Sequence, residues 1–336
     1  MQRDWLAVVE SAYRTDLDEQ QWLAGVLDAA RPMLDHRVGI AALLYDASSM
    51  NTFVPLRFIT SGAPQGLRSE ECLQLIQASS PSPEFLARTF GALSCGLVSQ
   101  TFGVGFPRVL EHLRRFGVVD MLAVNGVDPS LMGCVLTGNL PPTASARLAS
   151  RTRAMWSRIS VHLAAGYRMH RRLSADEGAS ASVEAVLTPA GKVEHAEGLA
   201  REKAARDALC DSVQLLERAR TRLRRDDQDT AVRSWRGLVE ARWSLLDHFE
   251  TGGKRYVVAR CNEATTAHTL SQLSVREQQV VAFVALGHAN KVIAYELGLS
   301  PSTVAVLITR ASRKLGVRSR SALASAYHRS SQARPG

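Results

Sequence analysis

The stretch LSVREQQVVAFVALGHANKVIAYELGLSPSTVAVLITRASRKLGVRSRSALASAYHR, residues 273–329, decides the fold of the C-terminal part of this chain. Ser274, followed three residues later by Glu277, has the spacing of a capping box, in which each side chain bonds the other residue's backbone N–H. Apolar residues then recur at helical spacing as far as Leu286, and Gly287 follows as a helix-ending residue. The stretch therefore begins with an amphipathic helix.

Two further helices are predicted around the glycine at Gly298. A short helix covers 290–297, and after the turn Ser300 is a natural N-cap for a helix over 301–315, with proline in its first turn. The apolar residues of this third helix recur at steps of four, three and four, which places them on one buried stripe. They are Val304, Ile308, Ala311 and Leu315.

A fourth helix is predicted from about Ser319 to His328, after the break at Gly316 and Val317. Two helices joined by a tight glycine turn, with the second supported from behind, have the geometry that inserts a recognition helix into the major groove. We therefore expect an all-α, four-helix, helix-turn-helix domain that binds double-stranded DNA, with helix 301–315 in the groove.

These residues resemble the LuxR-type (GerE-like) family of bacterial four-helix DNA-binding domains. The matching motifs are LSVRE at 273–277, Gly287, NKVIA at 290–294, LGLSPSTV at 297–304, RKLGV at 313–317 and Ser319-Arg320. The resemblance implies a bacterial transcriptional regulator. Because one short recognition helix reads few base pairs, we expect a dimer. The candidate dimer contacts are Leu323, Ala326 and Tyr327 on the last helix and the long helix 143–173. Family members commonly read TVK-x-H where this chain has Thr303-Val304-Ala305-Val306-Leu307, so two polar or basic positions are apolar here.

The third helix supplies the candidate site residues. Small or apolar groups can contact a thymine methyl, whereas arginine, lysine and hydroxyl groups anchor to phosphate. The predicted base-facing residues are Ala305, Val306, Thr309 and Ser312. The predicted phosphate-contacting residues are Lys291, Ser302, Thr303, Arg310, Arg313, Arg318 and Arg320.

The order of elements before the helix-turn-helix predicts two α+β parts. A helix, two strands, intervening helices, a strand, a helix, two strands and a long helix over 143–173 resemble a GAF-type sensor or dimerisation domain over 1–173. A linker follows over 174–182, and the order ββααββ over 183–262 resembles a small PAS-like connector. With the helix-turn-helix at 270–330, the fold class is α+β and multidomain.

Charge and composition favour a polyanion partner. The formal net charge is +9, and residues 271–329 hold eight basic side chains against two acidic ones. No uncharged apolar run approaches the length of a membrane span, and the cysteines show no metal or disulfide spacing, so we expect a cytoplasmic protein without membrane contact. Besides DNA, the expected partners are a second copy of the chain, RNA polymerase and an unidentified small-molecule effector.

Other classes of function find less support. The histidines and cysteines lack partners at ligand or catalytic spacing, and Thr251-Gly252-Gly253-Lys254 lacks the upstream glycine of a phosphate-binding loop. We therefore expect no enzyme, no cofactor and no metal. A phosphorylated receiver domain and an acyl-homoserine-lactone receptor are also disfavoured. Two alternatives stay open: a four-helix packing domain, and a ligand- or protein-binding adaptor whose degenerate helix-turn-helix docks a partner through 304–308.

Overall fold

The computed structural model describes residues 3–48, 53–79, 94–100, 107–144, 149–175, 183–235, 237–239, 242–249, 254–261 and 273–332. The chain divides into two compact units, Met1–Arg171 and Arg172–Gly336. Each unit has its own antiparallel sheet. The helix-turn-helix stretch lies in the second unit, together with the predicted connector.

The first unit is a five-stranded sheet with helices packed on both faces. Its strand order is β2-β1-β5-β4-β3. The strands are β1 Ile40–Asp46, β2 Val54–Ser61, β3 Cys95–Leu97, β4 Asp120–Val127 and β5 Met132–Leu140. The helices are α1 Trp5–Ala12, α2 Glu19–Leu34, α3 Ser69–Gln77, α4 Pro107–Arg114 and α5 Ser150–Ala175.

Glycines let the N-terminal helices and α5 approach their neighbours closely. A Cβ on Gly166 in α5 would lie 2.1 Å from the carbonyl oxygen of Ala12 in α1, and one on Gly138 in β5 would lie 2.3 Å from that of Leu34 in α2. The buried indole of Trp22 also donates a hydrogen bond to Ala12, at 3.0 Å. The carbonyl of Ala12 therefore contacts both α2 and α5, and Gly138 allows α2 to lie close to β5.

The opposite face of this sheet packs against α3 and α4 around an apolar cluster that includes Tyr45. At the edge of the cluster, Asp128 is 2% exposed and accepts a 2.5 Å hydrogen bond from Arg171 on α5. A buried carboxylate is strongly disfavoured without such a cation. The ion pair therefore connects the β4–β5 turn to the C-terminal part of α5.

The predicted order of elements is present in the first unit, and the α+β class is confirmed. Two of the predicted helices fall wholly or partly outside the described residues. One of the intervening helices is predicted to begin at Pro81 and lies outside the described residues. The long helix predicted from Thr143 begins at Ser150, and residues 145–148 also lie outside the described residues. The GAF-type resemblance stays a prediction.

The second unit repeats the same strand pattern. Its sheet has the order β7-β6-β10-β9-β8, so that in both units the second strand pairs with the first, which pairs with the fifth. The strands are β6 Val183–Leu187, β7 Val193–Ala196, β8 Leu238–Val239, β9 Trp243–Phe249 and β10 Arg255–Cys261. The connecting helices are α6 Lys203–Arg218, α7 Arg224–Asp226 and α8 Gln228–Ser234, with a π-helical turn at Ala219–Leu223.

The ββααββ prediction missed one strand. The second helix of that order is predicted from the sequence over 226–240, but it ends at Ser234, and residues 238–239 form β8 against β9. The PAS-like resemblance stays a prediction.

A charge cluster joins the π-helical turn to the sheet. Arg220 contacts Asp247 at 2.5 Å and Glu217 at 3.1 Å, and Arg255 contacts Glu217 at 2.5 Å. The Arg220 guanidinium also lies over the ring of Trp235, 4.8 Å from its centroid. Arg220 is therefore engaged within the fold rather than displayed as part of a basic patch.

The C-terminal part of the second unit is the expected four-helix module. Within residues 273–332, which are described without a gap, its helices are α9 Val275–Ala285, α10 Asn290–Glu296, α11 Pro301–Lys314 and α12 Arg320–Gln332. The domain limits 1–173, 174–182, 183–262 and 270–330 stay a prediction. Among the described residues no single helix is long and apolar enough to cross a membrane, although α10 and α11 taken together, bent by 105°, meet the criteria of length and composition.

Candidate nucleic-acid interface

The capping box at the start of α9 is formed as predicted and also holds the end of α11. Ser274 Oγ accepts from the N–H of Glu277 at 3.3 Å, and Glu277 Oε2 accepts from the N–H of Ser274 at 2.7 Å. The same carboxylate accepts a 2.6 Å hydrogen bond from Lys314 Nζ. Burial would raise the pKa of Glu277, but the bonds from Lys314 and Ser274 lower it below its usual value.

The turn between α10 and α11 sets the angle of the third helix. Gly298 has a φ of 61°, a left-handed conformation that favours glycine. Ser300 caps α11 by accepting from the N–H of Thr303 at 3.0 Å. The chain bends by 105° between the two helices, within the range typical of helix-turn-helix motifs.

Helix α11 has one buried and one exposed face. Val304, Leu307 and Ala311 are buried. On the other side, residues spaced four, three and four apart form an exposed row, which is the spacing of one helical face. This row, called the outer row below, consists of Ser302, Val306, Thr309 and Arg313.

The predicted base-facing residues mostly lie on or beside the outer row. Ala305, Val306 and Thr309 are exposed, Val306 by 48%, whereas Ser312 is half-buried. The Thr309 hydroxyl donates a 3.0 Å hydrogen bond to the backbone carbonyl of Ala305. Its proton is thus used within the helix.

The predicted phosphate contacts differ in how free their charged groups are. The described part of the chain gives no ion pair to Lys291, Arg310, Arg313 or Arg318, all of which are exposed. The hydroxyls of Ser302 and Thr303 lie 2.7 and 2.8 Å from Ser300 Oγ, within the helix cap.

Arg320 is more constrained than the other predicted phosphate contacts. It donates to Asn290 Oδ1 at 2.8 Å and to the carbonyl of His288, and burial lowers its pKa. These bonds hold the start of α12 against the turn between α9 and α10. Contact with phosphate would have to be made by the remaining donors of this guanidinium.

Two residues considered for intermolecular contacts are buried. Leu307, which we considered as part of a docking surface over 304–308, is only 8% exposed and packs on the inner face of α11. Leu323 in α12, a candidate dimer contact with Ala326 and Tyr327, is fully buried. Helical spacing explains both results, because a helix of this module has one face turned to the core.

His288 lies in the turn between α9 and α10. Its ring centroid is 5.6 Å from that of Phe283, and within the described part of the chain Nδ1 is buried without a hydrogen-bond partner. Burial, reinforced by the nearby charge of Arg320, lowers its pKa to about 4. The imidazole is therefore neutral near physiological pH.

One hydrogen bond links the helical module to the connector in the same unit. The Tyr295 hydroxyl in α10 donates to the carbonyl of Val232 in α8 at 2.6 Å. Val232 lies in the last turn of α8, where carbonyls lack partners inside the helix. Sequence reasoning did not find this contact, nor the Lys314–Glu277 pair, because neither has a local pattern.

The described residues show no group of three or more histidine, cysteine, aspartate or glutamate side chains that could hold a metal ion. The described cysteines are free thiols, and burial raises the pKa of Cys95 to about 12. A thiol with so high a pKa is a poor nucleophile.

Comparison with known proteins identifies the helical module. Residues 271–327 match the family described as bacterial regulatory proteins, luxR family (GerE). No curated protein matches the chain. Among solved structures, SdiA from Escherichia coli gives a TM-score of 0.33 at 12% identity, covering 98% of this chain and 96% of SdiA. SdiA in complex with octanoyl-rac-glycerol gives a TM-score of 0.33 at 11% identity, covering 98% and 97%.

Proposed function

We propose that this protein, whose residues 271–327 form a luxR-family domain, is a transcriptional regulator that inserts α11 into the major groove of double-stranded DNA. The observation that carries the proposal is the outer row of α11, flanked by basic side chains without ion pairs among the described residues. A helix of 14 residues presents such a row to the groove while its other face packs on the supporting helices.

Free charge supports DNA as the partner. Among the described residues Lys291, Arg310, Arg313 and Arg318 have no ion pair, whereas Arg220 and Arg255 in the connector are paired with carboxylates. Only unpaired cations can release counterions from DNA without first breaking an internal bond. These four residues of the helical module are therefore the cations that we propose to contact phosphate.

We also propose that the protein acts as a homodimer and that its first unit has a role in regulation. One recognition helix reads few base pairs, so binding as a homodimer to two half-sites supplies the needed discrimination. We propose that the first unit carries the dimer contact or receives the signal of a small-molecule effector, and that RNA polymerase is the partner on the promoter. The cytoplasm is the compartment in which this activity takes place.

The salt dependence of binding to random duplex DNA tests the proposal on the full-length chain. The Arg310→Ala, Arg313→Ala double variant removes two proposed phosphate contacts. The control, Arg206→Ala with Arg225→Ala, removes the same net charge from exposed positions of the connector. We expect the test variant to flatten the log–log salt slope by roughly two per chain, about 0.9 for each contact, and the control to leave it unchanged.

An unchanged slope in the test variant would contradict the assignment of these arginines. A folded wild-type chain that binds no duplex at low salt would contradict DNA binding and favour the adaptor alternative. Circular dichroism and size-exclusion chromatography establish the folded state and the oligomer size in each case.

A further inference from the structure

The middle of the outer face of α11 offers no free hydrogen-bond donor to a base. Ala305 and Val306 have no polar side-chain atom, and the proton of the Thr309 hydroxyl is donated to the Ala305 carbonyl at 3.0 Å. All three residues are exposed, Val306 by 48%. Recognition by side-chain donors, as arginine recognises guanine, is therefore absent at these positions.

We propose that α11 reads the C5-methyl groups of pyrimidines in the major groove, those of thymine and of 5-methylcytosine, with Val306 as the principal contact. This inference rests on the proposed function. Thymine displays a methyl group at the position where cytosine has only hydrogen, and an apolar side chain gains free energy by covering a methyl group.

Two arginines near Val306 supply affinity for DNA, whereas Val306 itself supplies specificity. Arg313 follows it by seven residues on the outer row and Arg310 by four, and both have charges without an ion pair in the described part of the chain. These cations attract any duplex through its phosphates. Val306, one and two helical turns before these arginines, then discriminates by methyl content alone.

Val306 does not belong to the buried core of the helical module. The core face of α11 is formed by Val304, Leu307 and Ala311, all of them buried. A change at Val306 therefore alters the surface that meets DNA and leaves the packing of the four helices intact.

The test uses the full chain and a duplex selected from a random-sequence pool at fixed salt. The selected site is then made in three forms: unaltered, with deoxyuridine in place of thymine, and with 5-methylcytosine in place of cytosine. Deoxyuridine keeps every hydrogen-bonding group of thymine and lacks only the methyl group. The matched variants are Val306→Ala, which shortens the apolar group, and Val306→Thr, which keeps its shape but makes it polar.

We expect deoxyuridine at a contacted step to weaken wild-type binding about fourfold for each methyl group covered, and 5-methylcytosine to strengthen it by a similar factor where it adds a contact. Val306→Ala and Val306→Thr, which each keep one methyl group fewer than valine, should lose part of this sensitivity while their salt slope stays that of the wild type. Equal binding of the thymine and deoxyuridine sites by the wild type would overturn methyl reading and leave DNA binding in place. Failure to bind any duplex would overturn the proposed function itself.

Discussion

The half-buried imidazole of His288, whose Nδ1 is fully enclosed, makes the helical module sensitive to acid. Its pKa is about 4 in the folded chain, against about 6.5 in an unfolded one. Because the unfolded state takes up the proton first, the stabilisation is complete above the unfolded pKa and is lost as the pH falls from about 6.5 toward 4. Near pH 4.5 we expect a loss of about 2.5 kcal/mol relative to neutral pH.

Two measurements on the full chain check this expectation. Proton NMR of the imidazole gives the pKa directly. Amide hydrogen exchange in α9 and α10, corrected for intrinsic rates, gives the local free energy of opening at about pH 4.5 and about pH 7.5, on either side of the ordinary histidine pKa. Strands β9 and β10 in the same sample report general effects of acid.

The matched variant is His288→Gln, which stays neutral at both pH values. In this variant the free energy of opening of α9 and α10 should depend on pH almost as that of strands β9 and β10 does. The backbone carbonyl that accepts from Arg320 is kept. A measured imidazole pKa at or above about 6 would refute the argument that burial suppresses protonation. So would an opening free energy that depends on pH in the same way in wild type and variant.

Three further predictions follow from contacts in the two units. Leu307→Lys should destabilise the helical module by about 3 kcal/mol or more because it places a cation in the core, whereas Val306→Lys should leave the thermal midpoint nearly unchanged; equal midpoints would contradict the register of α11. Tyr295→Phe should cost about 1 kcal/mol and speed amide exchange in α8 and α10, and unaltered exchange would show that the hydroxyl bond contributes nothing. Arg171→Met should cost about 3–5 kcal/mol in denaturant unfolding, and Asp128→Asn added to it should recover part of that loss; no recovery would count against the buried charge as the cause.

Local signals explain why the four C-terminal helices could be predicted. Ser274 and Glu277 mark the start of α9, and Gly298 with Ser300 marks the turn before α11; each signal acts over a few residues. The buried stripe of α11 was predicted only in part, because the sequence analysis placed Ile308 on it with Val304 and Ala311 and did not include Leu307. Packing against the other helices decides for Leu307, which is buried, while Ile308 is half-buried.

Contacts between residues far apart in the chain could not be predicted from the sequence pattern. Lys314 meets Glu277 across 37 residues, and Tyr295 meets Val232 across 63. Strand β8 was missed for a related reason: with only two residues, it is defined by its pairing with β9 and not by its own alternation. The candidate DNA contacts could be chosen from residue type, but the internal bonds of Arg320 and Thr309 appear only in the folded chain.

The division of α11 into two faces has a consequence for how such a regulator changes over evolutionary time. The residues that hold the helix in place, Val304, Leu307 and Ala311 with the Lys314–Glu277 bond, are distinct from the exposed positions 305, 306 and 309. Surface substitutions away from packing and capping features usually cost little stability. A lineage can therefore acquire new target sites by single substitutions on the exposed face, and each intermediate along that route remains a folded protein.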